Sequence, residues 1–232
     1  MLEVKNLEAG YGKVPILRDI NLIAPAGEVT LVLGPNGAGK STLLRTLAGF
    51  NKPTVGTVMA NGRNITGLAP EKMVANGLRL ILDGHRVFPR LTVRENIRLG
   101  TRGDAAETEK HLKEIYEVFP ILHEKLDHRA SSLSGGQQQM LALAQAFVAR
   151  PEILLVDEPS LGIAEMLIPT ILDFLRRWTR LGTAVLLVEQ RIDIALRYAD
   201  SVYVLRGGEI ILNGPAAELA DGDAIERLYM DG

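Results

Sequence analysis

The sequence predicts an α/β protein with a β-rich amino-terminal lobe, a mainly parallel core sheet and an inserted helical segment, and one observation predicts each part. For the lobe, short β segments fill much of the first third of the chain, and Asn61-Gly62 is a typical hairpin turn. These segments are LEVKNLEAGY, ILRDINLIA, EVTLVLG and GTVMANGRNI.

The helical segment is predicted by a change of period. Between residues 107 and 119, apolar side chains recur at i, i+3, i+4 and i+7, which is the stripe of an amphipathic helix. The stripe consists of Leu112, Ile115, Tyr116 and Phe119. We therefore expect a helical subdomain at approximately 90–150, inserted into a single domain that spans residues 1–232.

The core sheet is predicted by apolar runs that alternate with helical stretches, which is the pattern of buried parallel strands. The runs are ILLVDE, TAVLLVE and SVYVLRGGEIILNG, and the last of them contains a hairpin turn at Gly207-Gly208. A helix that carries Met140, Leu143, Ala144 and Phe147 is expected before the first run.

The composition is that of an ordinary globular protein, with 47% hydrophobic residues in a chain of 232. A net charge of −2 gives no broad attraction to nucleic acid, so any bound anion must be held by a local site. The absence of cysteine excludes disulfides and thiolate metal sites. No signal peptide is expected, and the most apolar stretch, residues 140–149, has half of the ~20 residues that a membrane span needs, so we expect a soluble chain.

A phosphate-binding loop is predicted by one stretch that matches G-x-x-x-x-G-K-[ST] at every fixed position. The stretch is Gly34-Pro35-Asn36-Gly37-Ala38-Gly39-Lys40-Ser41. An apolar strand precedes it and a helical stretch follows, so backbone N–H groups and the helix N-terminus can bind phosphate oxygens. Lys40 is expected to reach the β and γ phosphates, and the Ser41 hydroxyl to ligate Mg²⁺. The alternative is a glycine-rich turn that matches by chance.

Two carboxylates at the end of ILLVDEP supply the remaining chemistry. Asp157 follows four apolar residues at a predicted strand end, where it can hold Mg²⁺ or its water shell. Glu158 is the candidate general base that polarises the attacking water. Without the phosphate loop, the same residues would indicate only a strand that leaves the core.

A second anion-binding element is predicted at LSGGQ, which comprises Leu133, Ser134, Gly135, Gly136 and Gln137. It lies shortly before ILLVDE at the start of a helix, so Ser134 and the glycine amides can present a helix N-terminus to an anion. The presence of two anion-binding elements in one chain, the phosphate loop and LSGGQ, is explained if two chains pack head to tail. Each phosphate loop would then face the LSGGQ of the other chain.

These motifs resemble those of the nucleotide-binding subunits of ATP-binding cassette (ABC) transporters, whose signature is LSGGQ, and the resemblance covers residues 1–214. It implies the P-loop NTPase ABC ATPase fold with an antiparallel β lobe, an ATP hydrolase activity, and ATP and Mg²⁺ as cofactors. It also implies that Tyr11 stacks on adenine. The ATP-binding residues that it implies are Tyr11, Gly34, Pro35, Asn36, Gly37, Ala38, Gly39, Lys40, Ser41 and Thr42.

A narrower resemblance is carried by GHRVFPRLTVRENI, QQQMLALAQAF and DEPSLGIAE, with VEQ further on. These stretches are similar to the ATPase subunits of branched-chain amino acid importers and of the related urea and amide importers. The similarity implies integral membrane permease subunits, a second ABC ATPase subunit and, indirectly, a solute-binding protein as partners, with no nucleic acid. It places the chain peripherally at the cytoplasmic face of the bacterial inner membrane, with the permease docking at residues 83–90.

Three positions depart from the wider family pattern, and one of them, Gln145, where an Arg is common, is expected to be a surface polar exchange. Asp83 stands where a Gln commonly contacts Mg²⁺ and the attacking water; because Asp is shorter, we expect it to act through a bridging water. The other interpretation of Asp83-Gly84 is a simple turn. Gln190 stands where most members have His, and it can donate to the γ-phosphate but cannot carry a charge, so slow turnover of the isolated subunit is expected.

Other functions stay open as rivals. A lipid or lipopolysaccharide exporter ATPase shares the three core motifs, and a soluble ABC ATPase that acts on DNA, ribosomes or iron–sulfur assembly would share them too. A metabolic P-loop kinase has no use for LSGGQ. The four histidines are expected to be solvated rather than to form a metal site, because His123 to His128 misses the HExxH spacing.

Overall fold

The structure is a computed structural model that describes residues 1–82, 87–101 and 105–219. The chain forms two compact units, and the second interrupts the first. The first unit comprises Met1–Leu80, Glu152–Glu158 and Arg176–Gly232, and the second comprises Ile81–Pro151 and Pro159–Leu175.

The described residues form the following strands and helices. The strands are β1 (Leu2–Tyr11), β2 (Val14–Ala24), β3 (Val29–Leu33), β4 (Val55–Ala60), β5 (Arg63–Asn64), β6 (Leu78–Ile81), β7 (Ile153–Asp157), β8 (Ala184–Glu189), β9 (Ser201–Arg206) and β10 (Glu209–Pro215). The helices are α1 (Lys40–Leu47), α2 (Pro70–Ala75), α3 (Val93–Gly100), α4 (Ala105–Val118), α5 (Pro120–Glu124), α6 (Gly135–Val148), α7 (Ile168–Thr179) and α8 (Ile192–Ala195). Short 3-10 turns lie at Ala130–Ser132, Glu165–Leu167 and Leu196–Tyr198.

The first unit contains two sheets. The smaller is antiparallel in the order β2-β1-β4-β5. The larger has the order β10-β9-β3-β8-β7-β6, with parallel pairing of β3 to β8 and β9 and of β7 to β8. The hairpin predicted at Gly207-Gly208 joins β9 to β10. The α/β class with an antiparallel lobe and a mainly parallel core sheet is therefore confirmed.

One strand belongs to a different sheet from the one predicted. The sequence groups EVTLVLG with the β segments of the amino-terminal lobe, but β3 lies between β8 and β9 in the larger sheet. Every residue of β3, β7 and β8 is buried, so these strands are covered on both faces, as parallel strands are. Continuous rather than alternating burial is the physical difference between β3 and the lobe strands.

A hydrophobic core joins the two sheets of the first unit to α1. Leu43, Leu44 and Leu47 of α1 are fully buried in it, together with side chains from β1, β2, β7 and β8. The helix ends before Gly49, which adopts a φ of 85° and could not carry a side chain, because a Cβ there would lie 2.3 Å from the Leu68 carbonyl oxygen. The core thus fixes the helix that follows the phosphate loop.

The second unit packs its helices around aromatic residues. Phe174 contacts Phe119 and Phe147, with ring centroids 4.7 and 4.9 Å apart. The amphipathic helix is found as α4, but His111 on its apolar side is only 6% exposed and meets Phe147 edge-on. The expectation that all four histidines are solvated is therefore wrong for His111. It lies one helical turn before the buried Ile115, on the same face.

Two side chains hold the start of α3. Thr92 caps the helix by accepting the N–H of Glu95, and the Glu95 carboxylate accepts the N–H of Thr92 in return. The hydrogen bonds that Thr92 donates to the carboxylate, from its N–H and from its hydroxyl, lower the pKa of the Glu95 carboxyl. The fully buried Asn96 accepts from the N–H of Phe88 and donates to its carbonyl, which fixes the segment before the cap.

None of the helices within residues 1–82, 87–101 and 105–219 combines the length and the apolar character needed to cross a bilayer.

Candidate functional site

The phosphate loop joins the end of β3 to the start of α1, and each of its three glycines has a steric or conformational reason. A Cβ on Gly34 would lie 2.3 Å from the Leu205 carbonyl oxygen. Gly37 and Gly39 adopt φ values of 82° and 109°, in the left-handed region that glycine reaches without strain. This loop conformation therefore requires glycine at all three positions.

Lys40 is buried at the first position of α1, with 5% of its side chain exposed. Its Nζ donates to the carbonyl oxygens of Gly34 and Pro35 at 2.7 and 3.1 Å. It also lies 3.4 Å from Oε1 of Glu158. The loop carbonyls and one carboxylate thus hold a desolvated cation at the place where the motif requires a charge for phosphate oxygens.

Ser41 and Asp157 meet from opposite ends of the chain. The Ser41 hydroxyl donates to Oδ1 of Asp157 over 3.5 Å, and Asp157, at the end of β7, is 2% exposed. Mg²⁺ prefers oxygen ligands and keeps several waters and phosphate oxygens in its shell, so this hydroxyl–carboxylate pair fits it. No group of three or more His, Asp or Glu residues that could hold a metal ion is found in the part of the chain that the structure describes.

Glu158 follows β7 in a strained backbone conformation. Its φ is 42°, which a residue with a long side chain rarely adopts, and its N–H donates to the Val188 carbonyl at 2.9 Å. The turn directs its carboxylate toward Lys40 and Gln190, both of which lie within 3.4 Å of Oε1. Such strain is typical of functional sites, where surrounding contacts maintain it.

Gln190 joins the phosphate loop to the carboxylate. Its Nε2 donates to Oδ1 of Asn36 at 2.8 Å and to Oε1 of Glu158 at 2.6 Å. One amide nitrogen carries two hydrogens, so it can make both contacts at once, whereas a neutral imidazole has a single N–H. From one side-chain nitrogen, Gln190 therefore donates to both Asn36 and Glu158, which a neutral His could not do.

The sheet topology explains why these residues meet. In the parallel pairing, Leu33 lies opposite Glu189 and Asp157 lies opposite Val188. The carboxyl ends of β3, β7 and β8 therefore lie side by side, and the residues that follow them converge at this edge, where α/β sheets bind ligands. The predicted residues that this edge brings together are Asn36, Lys40, Ser41, Asp157, Glu158 and Gln190.

Tyr11 ends β1 beside the amino-terminal part of α1. It is 48% exposed, and hydrogen bonding from Asn51 and Thr42 lowers the pKa of its phenol. Thr42 itself is buried and accepts the Thr46 hydroxyl at its carbonyl. The phenol of Tyr11 thus has polar neighbours in Asn51 and Thr42, while nearly half of the residue stays accessible.

The LSGGQ residues lie in the second unit, at the start of α6. Ser134 is the N-cap; its hydroxyl oxygen accepts the N–H of Gln137, and the Gln137 side chain accepts the N–H of Ser134 in return. Gly136 is buried, and a Cβ on it would lie 3.1 Å from Cδ1 of Leu167. The cap uses an acceptor lone pair of Ser134 and leaves its O–H free to donate.

Three features of these sites were not identified from the sequence. The cap made by Gln137 had a signal in the S-x-x-Q spacing, and Thr92 with Glu95 had the equivalent S/T-x-x-E signal. The contact of Asn36 with Gln190 had none, because 154 residues separate them. Asp83, predicted as a sensor, lies outside the described residues, and its role stays a prediction.

The sequence model of the ABC transporter family matches residues 17–161, a span that includes the phosphate loop, LSGGQ and both carboxylates. The chain belongs to the ABC transporter family. It is accordingly an ABC-type ATPase, and the resemblance inferred from its motifs is confirmed.

Relatives that match over the whole chain are transport proteins. BraG of Pseudomonas aeruginosa, a high-affinity branched-chain amino acid transport ATP-binding protein, is 37% identical over 100% of both chains. LivF of Archaeoglobus fulgidus, a probable branched-chain amino acid transport ATP-binding protein, is 35% identical over 99% of this chain and 98% of its own. The ABC cassette is thus similar along its full length to ATP-binding proteins of branched-chain amino acid transport.

Solved structures share the fold. The structure of an ATP-binding subunit of an ABC transporter has a TM-score of 0.88 at 26% identity and covers 100% of this chain and 98% of its own. The ATP-binding cassette MJ0796, solved as a dimer in a post-hydrolysis state with ADP and Pi, has a TM-score of 0.80 at 26% identity over 93% of this cassette and 99% of its own chain.

Proposed function

We propose that the protein is the ATP-hydrolysing motor subunit of an importer for branched-chain amino acids, in which the second unit is the helical subdomain of a single ABC ATPase domain. The observation that carries the hydrolytic part is the convergence of Lys40, Glu158 and Gln190 beside the phosphate loop. The solute is inferred from the full-length similarity to BraG and LivF.

In this proposal, water attacks the γ-phosphorus of ATP, the bond to the β–γ bridging oxygen breaks, and ADP and phosphate leave. Oε1 of Glu158 accepts a hydrogen bond from the Gln190 amide and lies 3.4 Å from Nζ of Lys40, so the carboxylate is held in an orientation to take the proton of the attacking water. Lys40 balances charge on the phosphate oxygens, and Gln190 donates to the γ-phosphate in place of its contact with Asn36. Tyr11 contributes its exposed ring as a stacking surface for adenine.

Magnesium ion would be held by Ser41 and Asp157, and when bound it neutralises charge on the β and γ phosphate oxygens. The 3.5 Å between the Ser41 hydroxyl and Oδ1 of Asp157 supports this assignment. Asp83 is proposed to contact the same shell through a water, as a sensor between ATP and the permease.

The second anion-binding element is proposed to act in trans in a dimer with an identical or related subunit. Ser134 would donate its free O–H to the γ-phosphate bound by the other chain, assisted by the N-terminus of α6 and by the backbone of Gly136. Leu133 is buried, and the Gln137 side chain completes the cap by accepting the N–H of Ser134.

Replacing Ser134 with alanine is expected to remove both the cap and the trans hydrogen bond. Loss of the cap lowers the stability by about 1 kcal/mol. Loss of the charge-assisted hydrogen bond lowers the ATPase rate about 10- to 100-fold. Thr92→Ala is the matched control, because Thr92 makes the same capping box on α3. Thermal unfolding should shift equally in both variants, whereas ATP hydrolysis without permease should fall only in Ser134→Ala. Equal rates in the two would contradict the trans role.

The membrane partner is proposed to dock on the loop of residues 83–90, at the cytoplasmic face of the bacterial inner membrane. Asn96 holds the backbone of Phe88 by two hydrogen bonds while 52% of Phe88 is exposed, which supports a rigid apolar contact for a permease helix. A solute-binding protein would join this complex indirectly through the permease, and no nucleic acid is expected.

The proposed function is tested by uptake of labelled leucine, isoleucine and valine in cells whose chromosomal gene carries Glu158→Gln. Loss of uptake of these three solutes, restored by the wild-type gene on a plasmid, is the expected result. Loss of urea or short-amide uptake with unchanged leucine uptake would assign the motor to the other importer branch. Unchanged uptake of all of them together with lost lipid export would contradict the importer assignment.

A further inference from the structure

The turn between β9 and β10 connects the two parts of the candidate nucleotide site. Gly208 donates its N–H to the Ala38 carbonyl of the phosphate loop at 3.0 Å. Its own carbonyl accepts the N–H of Arg18 in β2 at 2.8 Å. Because β2 pairs with β1, in a register that places Tyr11 opposite Val14, one glycine links the phosphate loop to the strand pair that carries Tyr11.

The two glycines of this turn differ in the space available for a side chain. A Cβ on Gly208 would lie 1.8 Å from the Ile16 carbonyl oxygen, a distance at which backbone atoms must move apart. A Cβ on Gly207 would meet nothing within 4 Å. Both residues have positive φ, 57° for Gly207 and 86° for Gly208, so an alanine at either one is strained but only one of the two displaces β2.

The end of β9 also supports the phosphate loop directly. The Leu205 carbonyl lies against Gly34, and the side chains of Leu205 and Leu17 lie on Gly39, with Cδ2 atoms 3.7 and 2.9 Å from a Cβ placed there. The β9–β10 hairpin therefore contacts the phosphate loop at Gly34, Ala38 and Gly39, and β2 contacts it at Gly39.

We propose that Gly208 is a positioning residue for ATP, which sets the spacing between Tyr11 and the phosphate loop. This inference rests on the proposed function, because it assumes that Tyr11 contacts the base and residues 34–41 the phosphates. A nucleotide engages both places at once, and a misplacement on the order of 1 Å between two such contacts is enough to lose much of their joint effect. An alanine at Gly208 imposes a shift of that size between β2 and the turn.

The test is a double-mutant cycle on MgADP affinity, measured by calorimetry for the wild type, Gly207→Ala, Gly208→Ala and each of these with Tyr11→Ala. Gly208→Ala is expected to raise Kd about tenfold or more, and Gly207→Ala less than about threefold. Tyr11→Ala should weaken binding about 5- to 100-fold in the wild type and in Gly207→Ala, as base stacking does, but less than about threefold in Gly208→Ala, where the two contacts are already uncoupled.

Two results would overturn the inference: an equal Kd for the two glycine variants, or the same Tyr11→Ala factor in both backgrounds. If Gly208→Ala fails to fold, hydrogen exchange of the wild type decides instead. MgADP should slow exchange in the segment 203–210, and an unchanged rate there would contradict the positioning role. A wild type that binds no MgADP would contradict the proposed function itself. If the wild type binds MgADP, the comparison of Gly208→Ala with Gly207→Ala tests the positioning role separately.

Discussion

Replacing Glu158 with glutamine is expected to lower the rate of ATP hydrolysis about 10²- to 10⁴-fold while ATP stays bound. Glutamine keeps an oxygen that can accept from Gln190 and Lys40, so the geometry around Oε1 is preserved. What is lost is the basicity that takes the proton from water. Phosphate release measures the rate, and calorimetry with MgATP measures binding. The ATP-bound dimer should persist on a sizing column, because the step that reopens it is blocked.

Glu152→Gln is the control for this variant. Glu152 directly precedes β7 and Glu158 directly follows it, so the two substitutions change the same chemical group at opposite ends of one strand. Glu152 is exposed and accepts a hydrogen bond from Asn61, away from the phosphate loop. Its glutamine variant should hydrolyse ATP at the wild-type rate. A Glu158→Gln protein that did the same would remove Glu158 from the role of general base.

Replacing Lys40 with methionine is expected to weaken MgATP binding about 10- to 100-fold, which is the loss of charge-assisted hydrogen bonds to phosphate. The hydrolysis rate at saturating ATP should fall about 10²-fold or more, because charge that develops in the transition state is no longer balanced. Methionine retains most of the aliphatic stem of a side chain that is only 5% exposed, so packing changes little. Titration of MgATP followed by phosphate release separates the two effects.

The exposed Lys72 of α2 offers a control for the loss of one positive charge, because its methionine variant changes net charge equally without touching the loop. Affinity and rate in Lys72→Met should match the wild type. Wild-type affinity in Lys40→Met would mean that backbone N–H groups alone bind the phosphates. That outcome would contradict the charge-balancing role of Lys40.

Sequence reasoning reached those features that are local in the chain. The phosphate loop, β7 and α4 were predictable because a motif or a hydrophobic period spans only a few consecutive residues. The burial of His111 was also within reach, since it lies four residues before Ile115 on the apolar face of α4. Classing His111 with solvated residues overlooked that spacing.

Features that depend on strand order could not be predicted in the same way. The sheet places β3 between β8 and β9, and only this order brings Gly208 to Ala38 and Gln190 to Asn36. The two glycines of the turn indicate a hairpin whatever lies next to it, so no local pattern distinguishes Gly208 from Gly207. Their difference comes from Ile16, almost 200 residues earlier in the chain.

Residue 134 at the start of α6 has two requirements to meet: it caps the helix, and in the proposed dimer it donates a hydrogen bond to phosphate. Few amino acids can do both. Aspartate or asparagine would serve the helix as well as Ser134 does, and glycine nearly so. Aspartate, however, would set a negative charge against the phosphate that Ser134 is proposed to contact, and glycine has no hydroxyl to donate. A stability screen at residue 134 would therefore accept substitutions that a screen for hydrolysis rejects, and the mismatch between the two would separate the demands of folding from those of turnover.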